Sequence, residues 1–335
     1  MKTEILPTHT PQLFAAAVKR AAEFLRAGEV VALPTETVYG LAANALDEKA
    51  VAKIFEIKGR PAHNPIIVHV ASNEMAQACV REWTEVAEKF SKAFWPGPLT
   101  LVLPRAEKIP DRVTAGGATV GVRWPGHPFV QAVIRACGFP LAAPSANLSN
   151  RISPTNAAHV RAQLDGTIPL IVDGGQSQVG IESTVLDVTV SPPRVLRPGM
   201  IHAESLAVVA GKIQHPTSNL QPPILRSPGM LEKHYAPKAK LLVLEWNNDA
   251  DLTAQLVTRR LSPATCFVIV HTKIPAGFGA ANVSVMPHDA EAFARALYAE
   301  LHRCDAAGAQ LIVVEAPPDL PEWSGIADRL RRAAG

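Results

Sequence analysis

Apolar residues recur every three to four positions between 11 and 28 (Leu13, Phe14, Val18, Ala21 and Leu25), and Gly28 follows where a helix would stop. That spacing predicts a helix over 11–28. Val30–Leu33 is a short unbroken apolar run ended by Pro34, the pattern of a buried strand. The stripe Val51, Ile54 and Ile57 predicts a second helix over 48–58. Further helices are expected over 83–94, 128–136, 155–164 and 202–210. Strands are expected at Pro65–Val70, Leu99–Leu103, Thr119–Val122, Leu141–Ala143, Leu170–Val172 and Thr184–Val188. Such interleaving predicts an α/β domain with a mixed sheet over 1–211.

The periodicity then lapses. Residues 212–239 hold Pro216, Pro222, Pro223, Pro228 and Pro237. Proline removes backbone donors and blocks regular helix, so this stretch reads as a linker or a long ordered loop. Beyond it, Lys240–Glu245, Cys266–His271 and Gln310–Glu315 read as strands, and 251–261, 290–304 and 323–333 as amphipathic helices. A smaller Rossmann-like α/β domain with a mostly parallel sheet is expected over 240–335.

Composition narrows the function classes. The chain has 335 residues, 47% hydrophobic and 19% charged, which suits packed cores and not disorder. The formal charge is +3, divided as +2 in 1–205 and +1 in 206–335. Neither part is a polycation that would live by grasping a nucleic-acid backbone. Cys79, Cys137, Cys266 and Cys304 form no Cys-x-x-Cys pair and read as free thiols of a reducing compartment. No secretory signal is visible, nor any apolar run of about 18 residues, so a cytoplasmic protein outside the membrane is expected.

The familiar chemical motifs are missing: there is no P-loop, no G-x-G-x-x-G after a strand, no nucleophile elbow and no H-E-x-x-H. What remains is a series of polar and Gly/Pro clusters at strand ends: 34–41 (PTETVYGL), Lys58-Gly59-Arg60-Pro61 with Asn64 and His69, 95–98 (WPGP), Arg123-Trp124-Pro125, Pro144-Ser145-Ala146-Asn147 with Ser153, Asp173-Gly174-Gly175 with Glu182-Ser183-Thr184, and Arg197-Pro198-Gly199. Singly, each has an ordinary reading. Lys58 and Arg60 suit a helix C-terminus, and Pro144–Asn147 suits a turn. His69 suits a satisfied strand position, and Arg123 and Arg197 suit the surface. Together they give four cations, several hydroxyls and two asparagines with no matching set of carboxylates. That chemistry suits a hydroxyl-bearing polyanion such as a nucleoside triphosphate, bound beyond the carboxyl ends of the strands.

The ordered series of these clusters, closing with Glu-Ser-Thr-Val at 182–185, resembles the threonylcarbamoyl-AMP synthase family with its YrdC-like domain. Ser227-Pro228-Gly229-Met230 and His234-Tyr235-Ala236-Pro237 resemble that family's two-domain branch. Asn150 stands where glycine is common in the family, and Ile66 where leucine is usual. The resemblance implies a twisted α/β domain with a concave positive cavity. It also implies synthesis of threonylcarbamoyl-adenylate from L-threonine, bicarbonate and ATP, for formation of N6-threonylcarbamoyladenosine in tRNA. By this analogy Lys58, Arg60, Ser145 and Asn147 form the catalytic set. Arg60, Asn64, Thr119, Ser145, Ser153, Arg197 and Tyr235 contact the nucleotide. Thr37, His69, Arg123, Ala143 and Ser183 form the threonine pocket. Mg2+ is expected with ATP, without a protein carboxylate cluster to hold it. A downstream tRNA threonylcarbamoyl transferase complex would take the product, with room for a weak tRNA contact.

These residue types fit the chemistry. Carbamate and triphosphate are both anions, and fixed cations in a poorly hydrated cavity lower the cost of bringing them together. Residues 212–239 are expected to form a lid, since extended chain at up to ~3.3 Å per residue lets Tyr235 reach back over the cavity. An RNA-binding module using the same cavity is the competing reading, weakened by the near-neutral charge. A carbamoyl-transfer enzyme of hydrogenase maturation would need Cys-x-x-Cys pairs that this chain lacks. The C-terminal domain carries no obvious catalytic cluster and reads as scaffold or docking unit.

Overall fold

The computed structural model describes residues 2–215, 235–261, 266–276, 278–279 and 282–335. Ten strands form one mixed sheet: β1 (Glu4–Pro7), β2 (Val31–Leu33), β3 (Gly40–Asn44), β4 (Val68–His69), β5 (Leu99–Pro104), β6 (Thr119–Arg123), β7 (Leu141–Ala142), β8 (Leu170–Asp173), β9 (Thr184–Asp187) and β10 (Arg194–Arg197). Their order is β1-β8-β2-β3-β7-β4-β6-β5-β9-β10. Parallel and antiparallel neighbours alternate irregularly, as in β4–β6 against β4–β7. The expected strand at Pro65–Val70 shrinks to Val68–His69. Pro65 has no N–H and gives its carbonyl to Arg60, while the Ile66 amide donates to Val113.

The helices form where the apolar stripes and caps coincide. Thr10 Oγ1 accepts from the Leu13 amide, and Pro11 opens helix Pro11–Arg26, which lays Ala17, Ala21 and Leu25 into a core shared with Phe129 and Val133. Asp47 caps helix Glu48–Lys58, and Gly59, at φ +58°, ends it. That stop makes Lys58 the last helical residue. Helix Pro128–Cys137 covers the same core.

Four more strands form a second sheet: β11 (Lys240–Leu244), β12 (Cys266–Val270), β13 (Val283–Val285) and β14 (Leu311–Glu315), in the order β11-β14-β12-β13. All its pairs are parallel, for example Leu241 opposite Ile312 and Ile269 opposite Val314. Helices Asp249–Thr258, Ala290–Ala306 and Ser324–Ala334 complete it.

Loops of the N-terminal part join the core of the second sheet. Val38, Ile152 and Ile181 pack in one cluster with Tyr235, Phe293, Tyr298 and Ile326. Two glycines permit the close approach. A Cβ on Gly180 would lie 2.3 Å from the Ala294 carbonyl oxygen, and one on Gly325 would lie 2.9 Å from Gly199 backbone. No helix among the described residues is long and apolar enough to cross a membrane.

Candidate functional site

A cleft of about 520 Å³ opens in the ten-stranded sheet, lined by Thr35, Thr37, Val38, Gly40, Arg60, Ile67, His69, Arg123, Ala143, Pro144, Ser145, Glu182, Ser183, Arg197 and Tyr235. Nine of these are sequence-predicted site residues: Thr37, Arg60, His69, Arg123, Ala143, Ser145, Ser183, Arg197 and Tyr235. The carboxyl-end rule holds only in part. Arg123 and Arg197 close β6 and β10, whereas Gly40 opens β3 and Ser183 precedes β9. In a mixed sheet antiparallel neighbours set amino and carboxyl ends side by side, so loops from both meet.

On one side the cations are fixed by backbone oxygens. Arg60 Nε donates to the Asn64 carbonyl at 3.0 Å, and its Nη2 to Asn64 Oδ1 at 2.8 Å and to Pro65 O at 2.6 Å. Burial pulls its pKa down to about 10, so it stays charged at neutral pH. Lys58 Nζ donates to the carbonyls of Ser145, at 2.5 Å, and Asn147. Burial first, and Arg60 second, hold the Lys58 amine well below its ordinary value. Arg197 Nε and Nη2 reach Ser183 O and Oγ at 3.1 and 3.0 Å, and Ser183 Oγ lies 2.9 Å from Thr100 Oγ1.

On the other side Arg123 meets Glu36 Oε1 at 2.7 Å, and donates to Thr37 Oγ1 at 3.0 Å and Gly97 O at 3.2 Å. Burial works against the Glu36 charge, but Arg123 and the Gly126 amide hold its carboxyl below the ordinary range. His69 lies beside this pair. Burial, and then Arg123, push its pKa down to about 3, so the ring is neutral. Among the described residues its Nδ1 has no hydrogen-bond partner.

The remaining predicted residues stand behind or beside the cleft. Asn64 orients Arg60. Asn147 Nδ2 donates to the Leu148 and Arg151 carbonyls and shapes the loop after β7. Ser153 Oγ donates to Glu182 Oε1 at 2.5 Å. Thr119 lies in a neighbouring pocket of about 250 Å³ that shares Ile67. Asn150 adopts φ +66°, so asparagine keeps the left-handed turn that glycine would favour. Residues 216–234, with Ser227-Pro228-Gly229-Met230 and His234, lie outside the described residues, and so does most of the expected lid.

The expectation of no matching carboxylates is corrected. Glu36 and Glu182 are both buried at the site and each is ion-paired. Their signal was present, since both sit inside the quoted clusters; what the sequence hid was their partners. Glu182 pairs with Arg329 of the last helix, 147 positions away, at 2.6 Å, and Tyr298 donates to it at 3.0 Å. No local pattern marks either contact.

Comparison with known proteins agrees with this architecture. The family model described as telomere recombination matches residues 23–199, and the one described as the threonylcarbamoyl-AMP synthase C-terminal domain matches 201–335. The threonylcarbamoyl-AMP synthase of Pyrococcus abyssi is 41% identical over 95% of this chain and 94% of its own. That of Bacillus subtilis is 42% identical over 99% and 96%. The crystal structure of P. abyssi Sua5 complexed with L-threonine superposes with a TM-score of 0.91, at 39% identity over 99% of this chain and 98% of that one. Escherichia coli YciO, 24% identical, shares the fold over 59% of the chain with a TM-score of 0.53. With two family models together covering residues 23–199 and 201–335, and relatives matched almost end to end, the chain belongs to the threonylcarbamoyl-AMP synthase family.

Proposed function

We infer that this protein joins L-threonine, bicarbonate and ATP into threonylcarbamoyl-AMP with release of pyrophosphate. The observation that carries this reading is the convergence of Arg60, Arg123 and Arg197 with Thr37, His69, Ser145 and Ser183 on one cleft.

In this reading the threonine carboxylate faces Arg123, and the neutral His69 offers a polar contact that adds no charge beside the amine. Thr37, Ala143 and Ser183 complete that half. The unprotonated amine adds to the carbon of CO2 derived from bicarbonate and loses a proton, giving a carbamate. A carbamate oxygen then attacks the α-phosphorus, the bond to the bridging oxygen breaks, and pyrophosphate leaves. Arg60 and Arg197 face the phosphates, with Asn64 holding Arg60 in its fork. Burial and Arg60 oppose the charge on Lys58, and a triphosphate favours it. Fixed cations offset the repulsion between two anions without reorganising at the moment of reaction. Ser145 and Asn147 keep the loop that Lys58 grips, Ser153 and Tyr235 border the nucleotide side, and Thr119 reaches it from the adjoining pocket. Mg2+ enters as MgATP. The described residues hold no group of three metal-ligating side chains, and the phosphates supply ligands themselves. The product would pass to an enzyme that modifies tRNA, and 212–239 would shield the labile adenylate. No observation favours RNA binding in the cleft.

The test is pyrophosphate release measured with each amino acid in turn, with and without bicarbonate. Release that needs both threonine and bicarbonate is expected. Serine lacks one methyl, worth about 1–3 kcal/mol, and should be used less well. Valine leaves a polar partner unpaired and should fare worse. Release that needs neither threonine nor bicarbonate would refute the reading.

A further inference from the structure

The proposed chemistry assigns no role to the last helix, yet that helix delivers a fully buried cation to Glu182, which lines the cleft. The side chain of Arg329 is 0% exposed and spends its donors on the N-terminal part of the chain. Nε meets Glu182 Oε2 at 2.6 Å, Nη2 donates to the Glu182 carbonyl at 3.1 Å, and Nη1 donates to the Pro198 carbonyl at 3.0 Å. Its guanidinium carbon lies 5.2 Å from the centre of the Tyr235 ring. Asp328 Oδ2, 2.8 Å from Nη1, steadies it from the same helix. Gly325, one turn earlier on the same face, lies against Gly199 so closely that a Cβ would come within 2.9 Å of it. Helix register and guanidinium are therefore fixed together.

What Arg329 holds is the frame of Arg197. The two carbonyls it binds belong to Glu182 and Pro198. Their chain neighbours Ser183 and Arg197 are joined at 3.1 and 3.0 Å. Glu182 borders the cleft and carries a negative charge within electrostatic reach of Arg197 and Lys58. Ser153, Tyr298 and Arg329 occupy its oxygens. Without Arg329 the nearest compensation for that buried carboxylate would be the cations facing the phosphates.

We propose that Arg329 is a positioning residue of the nucleotide subsite: by engaging Glu182 and clamping the Glu182 and Pro198 carbonyls, it holds Arg197 toward the cleft and keeps the cleft's positive charge for a polyphosphate. This rests on the ATP-dependent reading above. It gives the C-terminal part of the chain a direct share in ATP recognition and, through Ser183 alone, a smaller one in threonine recognition, because Arg123, Glu36 and His69 stand apart from the clamp.

The test measures ATP and L-threonine affinities separately on the full chain, for the unaltered protein and for Arg329→Gln, Arg329→Lys and Glu182→Gln/Arg329→Gln, with circular dichroism on each. Losing charged hydrogen bonds predicts ATP binding at least about tenfold weaker in R329Q, with a clearly smaller loss of threonine binding, since Ser183 is the one threonine-side residue next to the clamp. R329K keeps the charge without the fork, and should fold and show a smaller ATP loss. The double variant, which removes the stranded carboxylate, should bind ATP better than R329Q. R329Q should gain more ATP affinity than the unaltered protein as pH falls through the carboxylate range, since protonating Glu182 removes the competing charge. Unchanged ATP affinity in R329Q and R329K overturns the proposal, as does equal loss of ATP and threonine or a double variant no better than the single. Failure of the unaltered protein to bind ATP would instead overturn the functional reading itself.

Discussion

Lys58 Nζ lies 2.5 Å from the Ser145 carbonyl oxygen, tying the end of helix Glu48–Lys58 to the loop after β7. Burial and Arg60 lower its pKa. A bound polyanion opposes both effects, so ATP binding should favour the charged amine and be linked to proton uptake. ATP titrated in buffers of different ionisation enthalpy should show proton uptake, and ATP affinity should fall as pH rises. In Lys58→Met the uptake should vanish and turnover should drop about a hundredfold, as when a transition-state donor is lost. Identical heats in every buffer would count against it.

Arg123 and Glu36 form a buried pair at 2.7 Å. Removing one partner strands the other charge, so Arg123→Met should cost about 3–5 kcal/mol of stability in urea unfolding. Adding Glu36→Gln should recover much of that. Neither variant should regain threonine affinity, because the substrate carboxylate has lost its cation in both. A double variant with normal threonine KM would remove Arg123 from the pocket.

Gly180 sits at φ +84°, and a methyl there would fall 2.3 Å from the Ala294 carbonyl oxygen and 2.4 Å from Arg295 Cα. Neither backbone atom can yield cheaply. Gly180→Ala should destabilise the protein by about 3 kcal/mol through left-handed strain and overpacking. Gly59, which also has positive φ, has open space around its Cβ position. Gly59→Ala should therefore cost less than G180A in the same unfolding assay.

Acid should weaken the fold in a defined window. Burial pushes His69 and His159 down to about 3 from 6.5, with Arg123 and His302 as their respective second causes. The unfolded chain protonates these rings near 6.5, so it binds more protons than the folded one and stability falls as pH drops from there toward 3. Glu36, Glu182 and Asp328, held below their ordinary values, lose their contributions only at lower pH. Unfolding free energy should already decline between about pH 7 and pH 5, and His159→Gln should flatten that slope. A level profile over this interval would contradict the assignment.

How much of this was legible depended on how local each signal is. Helix Glu48–Lys58 was readable because its stripe, its Asp47 cap and its Gly59 stop lie within one stretch of chain. Strand β3 was not: Gly40-Leu41-Ala42-Ala43-Asn44 lacks β-branched residues, and its pairing to β2 and β7 sets it. Strand β10 begins and ends in arginine, and its place at the sheet edge next to β9 decides its conformation. Within the site, Arg60, Arg123 and Ser145 were visible because glycines and prolines punctuate the loops that carry them. The pairing of Glu182 with Arg329 depends on two distant segments meeting, and neither segment advertises the other.

The most direct measurement follows the carbon. The full chain is incubated with ATP, L-threonine and labelled bicarbonate, and the products are resolved by mass spectrometry. One adenylate that contains both threonine and the labelled carbon is expected, formed in step with pyrophosphate. ATP consumed without that labelled adenylate, at the same rate whether or not threonine is present, would contradict it.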